Sequence, residues 1–143
     1  MPAGSGLLDT STVILLSRLR DPDALPAQPY ISAITLAELS VGPLVAANEA
    51  ERARRLAHLQ QAEADFDPLP FDADAARAFG QVASSLRRSG RKAYARAFDA
   101  MIAAVAIANE MPLFTCNPSD FAGIDGLTVV AIQHPDEEHV RQP

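Results

Sequence analysis

The stretch RAFDAMIAAVAIAN, residues 96–109, decides the fold. From Phe98 to Ala108 every residue is apolar except Asp99, and no Gly or Pro interrupts the run. It reads as an alanine-rich helix enclosed on nearly all sides, which is a helix from the middle of a domain. A carboxylate on such a helix is costly to desolvate unless something compensates it. Three compensations are open to Asp99: capping the helix as its N-cap, a set of hydrogen bonds, or a metal ion.

Outward from this helix, short apolar runs alternate with helical patterns, which predicts an α/β domain with a mostly parallel sheet. Strands are expected at residues 6–8, 30–33, 66–69, 112–115 and 128–132. Helices are expected at 10–19, at 35–41 with a T-x-x-E capping box from Thr35 to Glu38, and at 48–63 behind an Asn48 and Glu51 capping pair. Asp72 is the expected cap of a further helix, in which Ala75, Phe79, Val82 and Leu86 recur on one face. The proline-rich run at 21–29 is expected to be irregular, residues 117–121 a turn or short helix, and 134–143 a polar tail behind a domain spanning 1–133.

With 143 residues the chain fits one domain with a proper core. The apolar runs are too short for a membrane span and the N-terminus lacks the features of a signal peptide, so a cytoplasmic protein is expected. A single cysteine, Cys116, excludes an internal disulfide and a cysteine-based zinc site, and the three histidines do not cluster. Any metal would be a hard ion held by oxygens.

A net charge of −6 argues against a nucleic-acid partner, yet its distribution weakens the argument. Five of the twelve basic residues, Arg87, Arg88, Arg91, Lys92 and Arg96, directly precede or open the buried helix. They are either a solvated face or a contact for a phosphate backbone.

The acidic residues matter by position. Asp9 closes the first strand, Glu38 sits early in the helix after the second, and Asn117 and Asp120 follow the fourth. Strand ends and the starts of the next helices line one edge of a parallel sheet, and the buried helix can bring Asp99 there too. Capping explains each residue singly, Asn117 with Pro118 as a helix start included. It does not explain why all should share an edge. Crowded carboxylates repel unless a cation sits among them, and Mg²⁺ or Mn²⁺ suits such oxygen ligands. Thr10, Ser11 and Thr115 are placed to hold the carboxylates by hydrogen bonds.

Four motifs in order, LLDTS at 7–11, ISAITLAEL at 31–39, the R-x-x-D pair of Arg96 and Asp99, and FTCNPSDF at 114–121, carry a resemblance to the PIN-domain ribonuclease toxins of the VapC family. The match runs from Leu7 to about Ile132. The resemblance implies a three-layer α/β/α domain and a Mg²⁺ or Mn²⁺ ion held by Asp9 and Asp99 with Glu38 close by. Asn117 or Asp120 supplies the residue after the fourth strand. It implies cleavage of structured RNA of the tRNA or rRNA class, a homodimer, and a VapB-like antitoxin that puts a basic residue into the acidic site. Arg87, Arg88, Arg91 and Lys92 become the expected RNA contacts.

Other readings fit less well. A phospho-receiver domain needs a lysine near the end of the chain, and the only lysine is Lys92. A haloacid-dehalogenase phosphatase needs Asp two residues after the first, and position 11 is Ser. A non-catalytic module binding a basic peptide in the acidic crevice stays open.

Overall fold

The computed structural model describes residues 4–92 and 96–137. Four strands, β1 (Ser5–Leu8), β2 (Gln28–Tyr30), β3 (Leu113–Thr115) and β4 (Val129–Ala131), form an all-parallel sheet in the order β2-β1-β3-β4. The helices are α1 (Thr10–Leu15), α2 (Ala33–Val41), α3 (Glu49–Asp65), α4 (Ala73–Arg88) and α5 (Ala97–Ala108).

Successive residues of β1 define the layers. Leu7 and Leu8 are both fully buried, and because side chains alternate along a strand they enter different cores. Leu7 joins the core built from α4 and α5, including Ala75, Val82, Leu86 and Ile102 to Ala106. Leu8 joins Val13 of α1, Leu39 of α2, Ala62 of α3 and Ile31, which follows β2. The sheet is therefore covered on both faces, giving the expected three-layer α/β/α arrangement. The alanines of α5 let it pack closely between sheet and α4, with Ala103, Ala104 and Ala106 fully buried. Gly6 serves close packing of another kind. A Cβ there would lie 2.5 Å from the Phe114 ring and 2.9 Å from Pro26.

Several expectations are corrected. The expected strand at 66–69 is a single parallel bridge of Leu69 to Ser32, because Pro68 and Pro70 have no N–H to extend a ladder. The proline-rich run is not wholly irregular: it contains a 3₁₀ turn at Pro22–Ala24 and most of β2, an edge strand where Pro29 is tolerated. The first helix gives way to 3₁₀ geometry at Leu16–Arg18 instead of running on to 19. The capping box at Thr35 is absent. Ser32 is the N-cap of α2 and accepts from the Thr35 amide at 3.1 Å, which puts Glu38 in the second turn and frees it from a capping role. Asn48 and Asp72 cap as expected. On α5, Phe98 is exposed where burial was expected. Of the tail, His134–Glu137 lies against the body of the domain through the Arg18–Asp136 ion pair and the Arg20 contact to the Pro135 carbonyl. Residues 93–95, between the basic residues Lys92 and Arg96, and the last six residues of the expected tail lie outside the described part.

Candidate active site

β1 sends the chain to β2 on one side while its other neighbour is β3, so the carboxyl ends of β1 and β3 flank the switch point of the sheet. Asp9 stands there, 4% exposed. It is the N-cap of α1, and its carboxylate is held by four donors. Oδ1 accepts from the Thr12 amide at 3.2 Å and from the Thr12 hydroxyl, while Oδ2 accepts from Ser11 at 2.9 Å and from Thr115 at 2.8 Å. That set supplies partners to both oxygens of the buried carboxylate and fixes its orientation. Thr115 is oriented in turn by the Asn117 amide at 2.9 Å, and the Asn117 side chain donates to Ser11 at 3.0 Å.

Glu38 enters from α2. The Thr10 hydroxyl donates to its Oε1 at 2.7 Å and lies 3.0 Å from Thr35 Oγ1. Partial burial pushes the Glu38 carboxyl up; the Thr10 hydrogen bond opposes this, and the charge of Asp9 adds to it.

Asp99 is the third residue of α5 and does not cap it: Arg96 holds the N-cap position without a side-chain bond. First-turn position gives the carboxylate some help from the helix dipole. Burial nevertheless pushes its pKa up to about 6, and the charges of Asp120, Glu38 and Asp9 push the same way, against Arg96. Four carboxylates from four separate segments thus share one electrostatic neighbourhood. Arg96 bridges two of them, 2.8 Å from Asp120 and 3.8 Å from Asp99. Asn117 and Asp120, three residues apart, therefore serve different sides: Asn117 reaches the hydrogen-bond set of Asp9, and Asp120 reaches Arg96 and Asp99.

The donor set fits a hard divalent ion: every candidate ligand is an oxygen, and a cation would relieve the repulsion that raises Asp99. Among the described residues no group of three or more His, Cys, Asp or Glu is close enough to hold a metal ion by itself. Ions of this kind keep several waters and need only one or two carboxylates directly.

Of the basic residues, Arg91 donates to the Ser119 carbonyl at 3.1 Å and so lies over the segment after β3. Arg88 is engaged by Asp125 at 2.7 Å and by Ser84 at 2.9 Å, while Arg87 and Lys92 are exposed. Three residues escaped the sequence reading. Thr12 ties Asp9 to the Cys116 amide at 3.1 Å, Thr35 supports Thr10, and His58 lines a 270 Å³ pocket with Thr10 and Glu38. Hydroxyl residues three after a capping Asp were the available signal for Thr12; for His58, on a different helix, there was none.

The architecture and the acidic edge define a class. The PIN domain family model matches residues 7–127. The chain is 42% identical to ribonuclease VapC5 of Mycobacterium tuberculosis over 130 residues, 90% of this chain and 93% of that protein. It is 31% identical to ribonuclease VapC1 of Rickettsia felis over 133 residues, 91% and 98% of the two chains. The crystal structure of VapBC-5, a member of the VapBC family of toxin-antitoxin systems from Mycobacterium tuberculosis, superposes with a TM-score of 0.77 at 37% identity, covering 90% of this chain and 99% of that one. The chain belongs to the VapC family of PIN-domain toxins.

Proposed function

We propose that this protein is a divalent-metal-dependent endoribonuclease that cleaves structured RNA of the tRNA or rRNA class and is restrained by a VapB-like antitoxin. The observation that carries the reading is the meeting of a fully hydrogen-bonded Asp9 with an Asp99 raised to about 6 by burial and by the charges of Asp120, Glu38 and Asp9. The relatives' names, ribonuclease VapC5 and VapC1, support the same chemistry.

Asp9, Asp99 and Glu38 would hold Mg²⁺ or Mn²⁺. The bound ion supplies positive charge against the phosphodiester and a water of lowered pKa. The chain's own groups do the rest. Thr12, Ser11 and Thr115 keep the Asp9 oxygens aimed, and the Ser11 hydroxyl, half-buried and free to turn about its Cβ–Oγ bond, can release a lone pair of Oδ2. Thr10 fixes Glu38 in the same way. Arg96 holds Asp120 beside Asp99. Arg91 and Lys92, with Arg87 and Arg88 at the end of α4, supply charge for the RNA backbone.

The antitoxin reading rests on shape as well as charge. A groove of about 450 Å³ between α1 and α3, lined by Val13, Ile14, Leu16, Ala57, His58 and Phe66 among others, shares Ile14 and His58 with the pocket that holds Thr10 and Glu38. An amphipathic segment with apolar side chains in this groove ends naturally in a basic residue against Glu38. The solved structure with which the fold superposes is a member of a family of toxin-antitoxin systems, which supports an antitoxin partner. A homodimer completes the proposal, drawing on the apolar residues Val41, Leu44 and Val45, which are exposed at 52%, 83% and 65%.

Purified protein incubated with RNA in Mg²⁺, in Mn²⁺ and in EDTA tests the chemistry. Cleavage in either metal, its loss in EDTA, and products ending in 5′-phosphate and 3′-hydroxyl are expected. Ends of 2′,3′-cyclic phosphate, which mark attack by the RNA 2′-hydroxyl, would overturn the water mechanism.

A further inference from the structure

The first turn of α5 carries a ring that folding does not require. Phe98 is 53% exposed, on a helix where Ala100 and Ile102 to Ala106 are each at most 1% exposed. Every other described Phe and Tyr is buried or partly buried: Phe121 is at 2%, and Phe71 and Phe79 pack edge to face with centroids 6.4 Å apart. The position is specific. Phe98 immediately precedes Asp99 and follows Arg96 by two residues, so its Cα lies about 3.8 Å from that of Asp99. Two guanidinium groups stand at the same rim: Arg96, 2.8 Å from Asp120, and Arg91, 3.1 Å from the Ser119 carbonyl. An exposed aromatic ring on the helical turn that also carries Asp99, with two guanidinium groups held at the neighbouring segment 119–120, has the composition of a single-strand RNA contact, with charge for phosphate and a π-face for a base.

We propose that Phe98 is a stacking platform for an unpaired base beside the scissile phosphate. This rests on the nuclease reading above and narrows its substrate to an unpaired segment, such as a loop or an end. A phenyl ring has no hydrogen-bonding group, so the platform selects for an unstacked base without reading its identity. Duplex RNA, whose bases are already stacked, cannot use it.

The chain has no Trp, so Phe98→Trp creates a sole tryptophan reporter at the platform, excited selectively over the two Tyr residues. In an Asp9→Asn background, which keeps the RNA whole, a 12-nucleotide single-stranded RNA should quench this fluorescence, and the same strand annealed to its complement should not. In the same Asp9→Asn background, Phe98→Ala and Phe98→Leu should weaken binding of that oligonucleotide roughly 5- to 150-fold, the range for loss of one base stack. Phe98→Tyr should keep it. Leu matches Phe in apolar character but not in π-face, so single-strand affinity retained by Phe98→Leu overturns the platform. Unchanged RNA affinity in Phe98→Ala together with a shift in sedimentation to a smaller species also overturns it, and makes the ring a contact between copies. Loss of cleavage in every variant but not in wild type, with wild-type RNA affinity throughout, overturns it as well. A wild-type protein that cleaves no RNA in Mg²⁺ or Mn²⁺ fails at the earlier step, the nuclease reading itself.

Discussion

Asp99→Asn should make the metal-free protein more stable. Burial, with Asp120, Glu38 and Asp9 adding to it, raises the Asp99 carboxyl from its ordinary 3.8 to about 6. At neutral pH that displacement corresponds to roughly 3 kcal/mol of penalty on the charged form. The side chain is 31% exposed, and solvent screening reduces the figure to about 1–2 kcal/mol. Asn keeps the shape and removes the charge, while Arg96 keeps Asp120 as a partner at 2.8 Å. In a domain of this size the gain is a Tm higher by about 3–8 °C in EDTA. The sign with pH follows from the raised value. The penalty is full above about 6 and gone below 3.8, so the wild-type protein should close the gap to the variant as pH falls through that window. Saturating Mg²⁺ should close it as well, by stabilising wild type more than the variant. Thermal melts of both proteins at pH 7.5 and pH 4.5, with EDTA and with Mg²⁺, make the comparison. An Asp99→Asn protein no more stable than wild type in EDTA, or a gap as wide at pH 4.5 as at pH 7.5, would refute the view that the site is a crowd of repelling carboxylates.

Other consequences are open to direct measurement. Replacing Arg87, Arg88, Arg91 and Lys92 with Ala should lower RNA affinity and flatten its log–log salt dependence by up to about one per lost phosphate contact; an unchanged slope would return these residues to a solvated face. Since Arg88 is already paired with Asp125, its single replacement should contribute least. The end of α5 gives a stability prediction. Glu110 has φ of +53°, and Met111 donates to the Ala106 carbonyl at 3.1 Å, a left-handed helix stop that glycine fits without strain. Glu110→Gly should therefore stabilise the protein by about 0.5–1 kcal/mol, measured by urea titration, and a loss of stability would contradict the strain argument. If the proposed VapB-like antitoxin restrains the protein, its co-expression should restore growth, and replacing the antitoxin's basic residues one at a time should identify one whose loss abolishes that protection.

The sequence made the architecture legible where periodicity and capping are local. Asp72 and Asn48 cap as their spacing demands, and the buried run of α5 lies where its alanines direct. It misled where a local signal had two meanings. Thr35 and Glu38 have capping-box spacing, but Ser32 takes the cap, a choice set by where β2 ends and not by the helix itself. The strand expected at 66–69 failed because two prolines deny it a ladder. At the site, Asp9, Glu38 and Asp99 were nominated from their edge positions and do share one electrostatic neighbourhood. What spacing alone does not encode is that Asn117 turns toward Asp9 while Asp120 turns toward Arg96, since both follow β3 in the same short segment.

Cleavage of a labelled RNA under saturating Mg²⁺ by wild type, Asp9→Asn and Asp99→Asn, each checked by circular dichroism for an intact fold, tests the central claim most directly. Both variants should lose more than roughly 100-fold in rate, beyond what removing a mere hydrogen-bonding supporter of a metal ligand costs. Wild-type rates in a folded Asp9→Asn or Asp99→Asn protein would contradict the account.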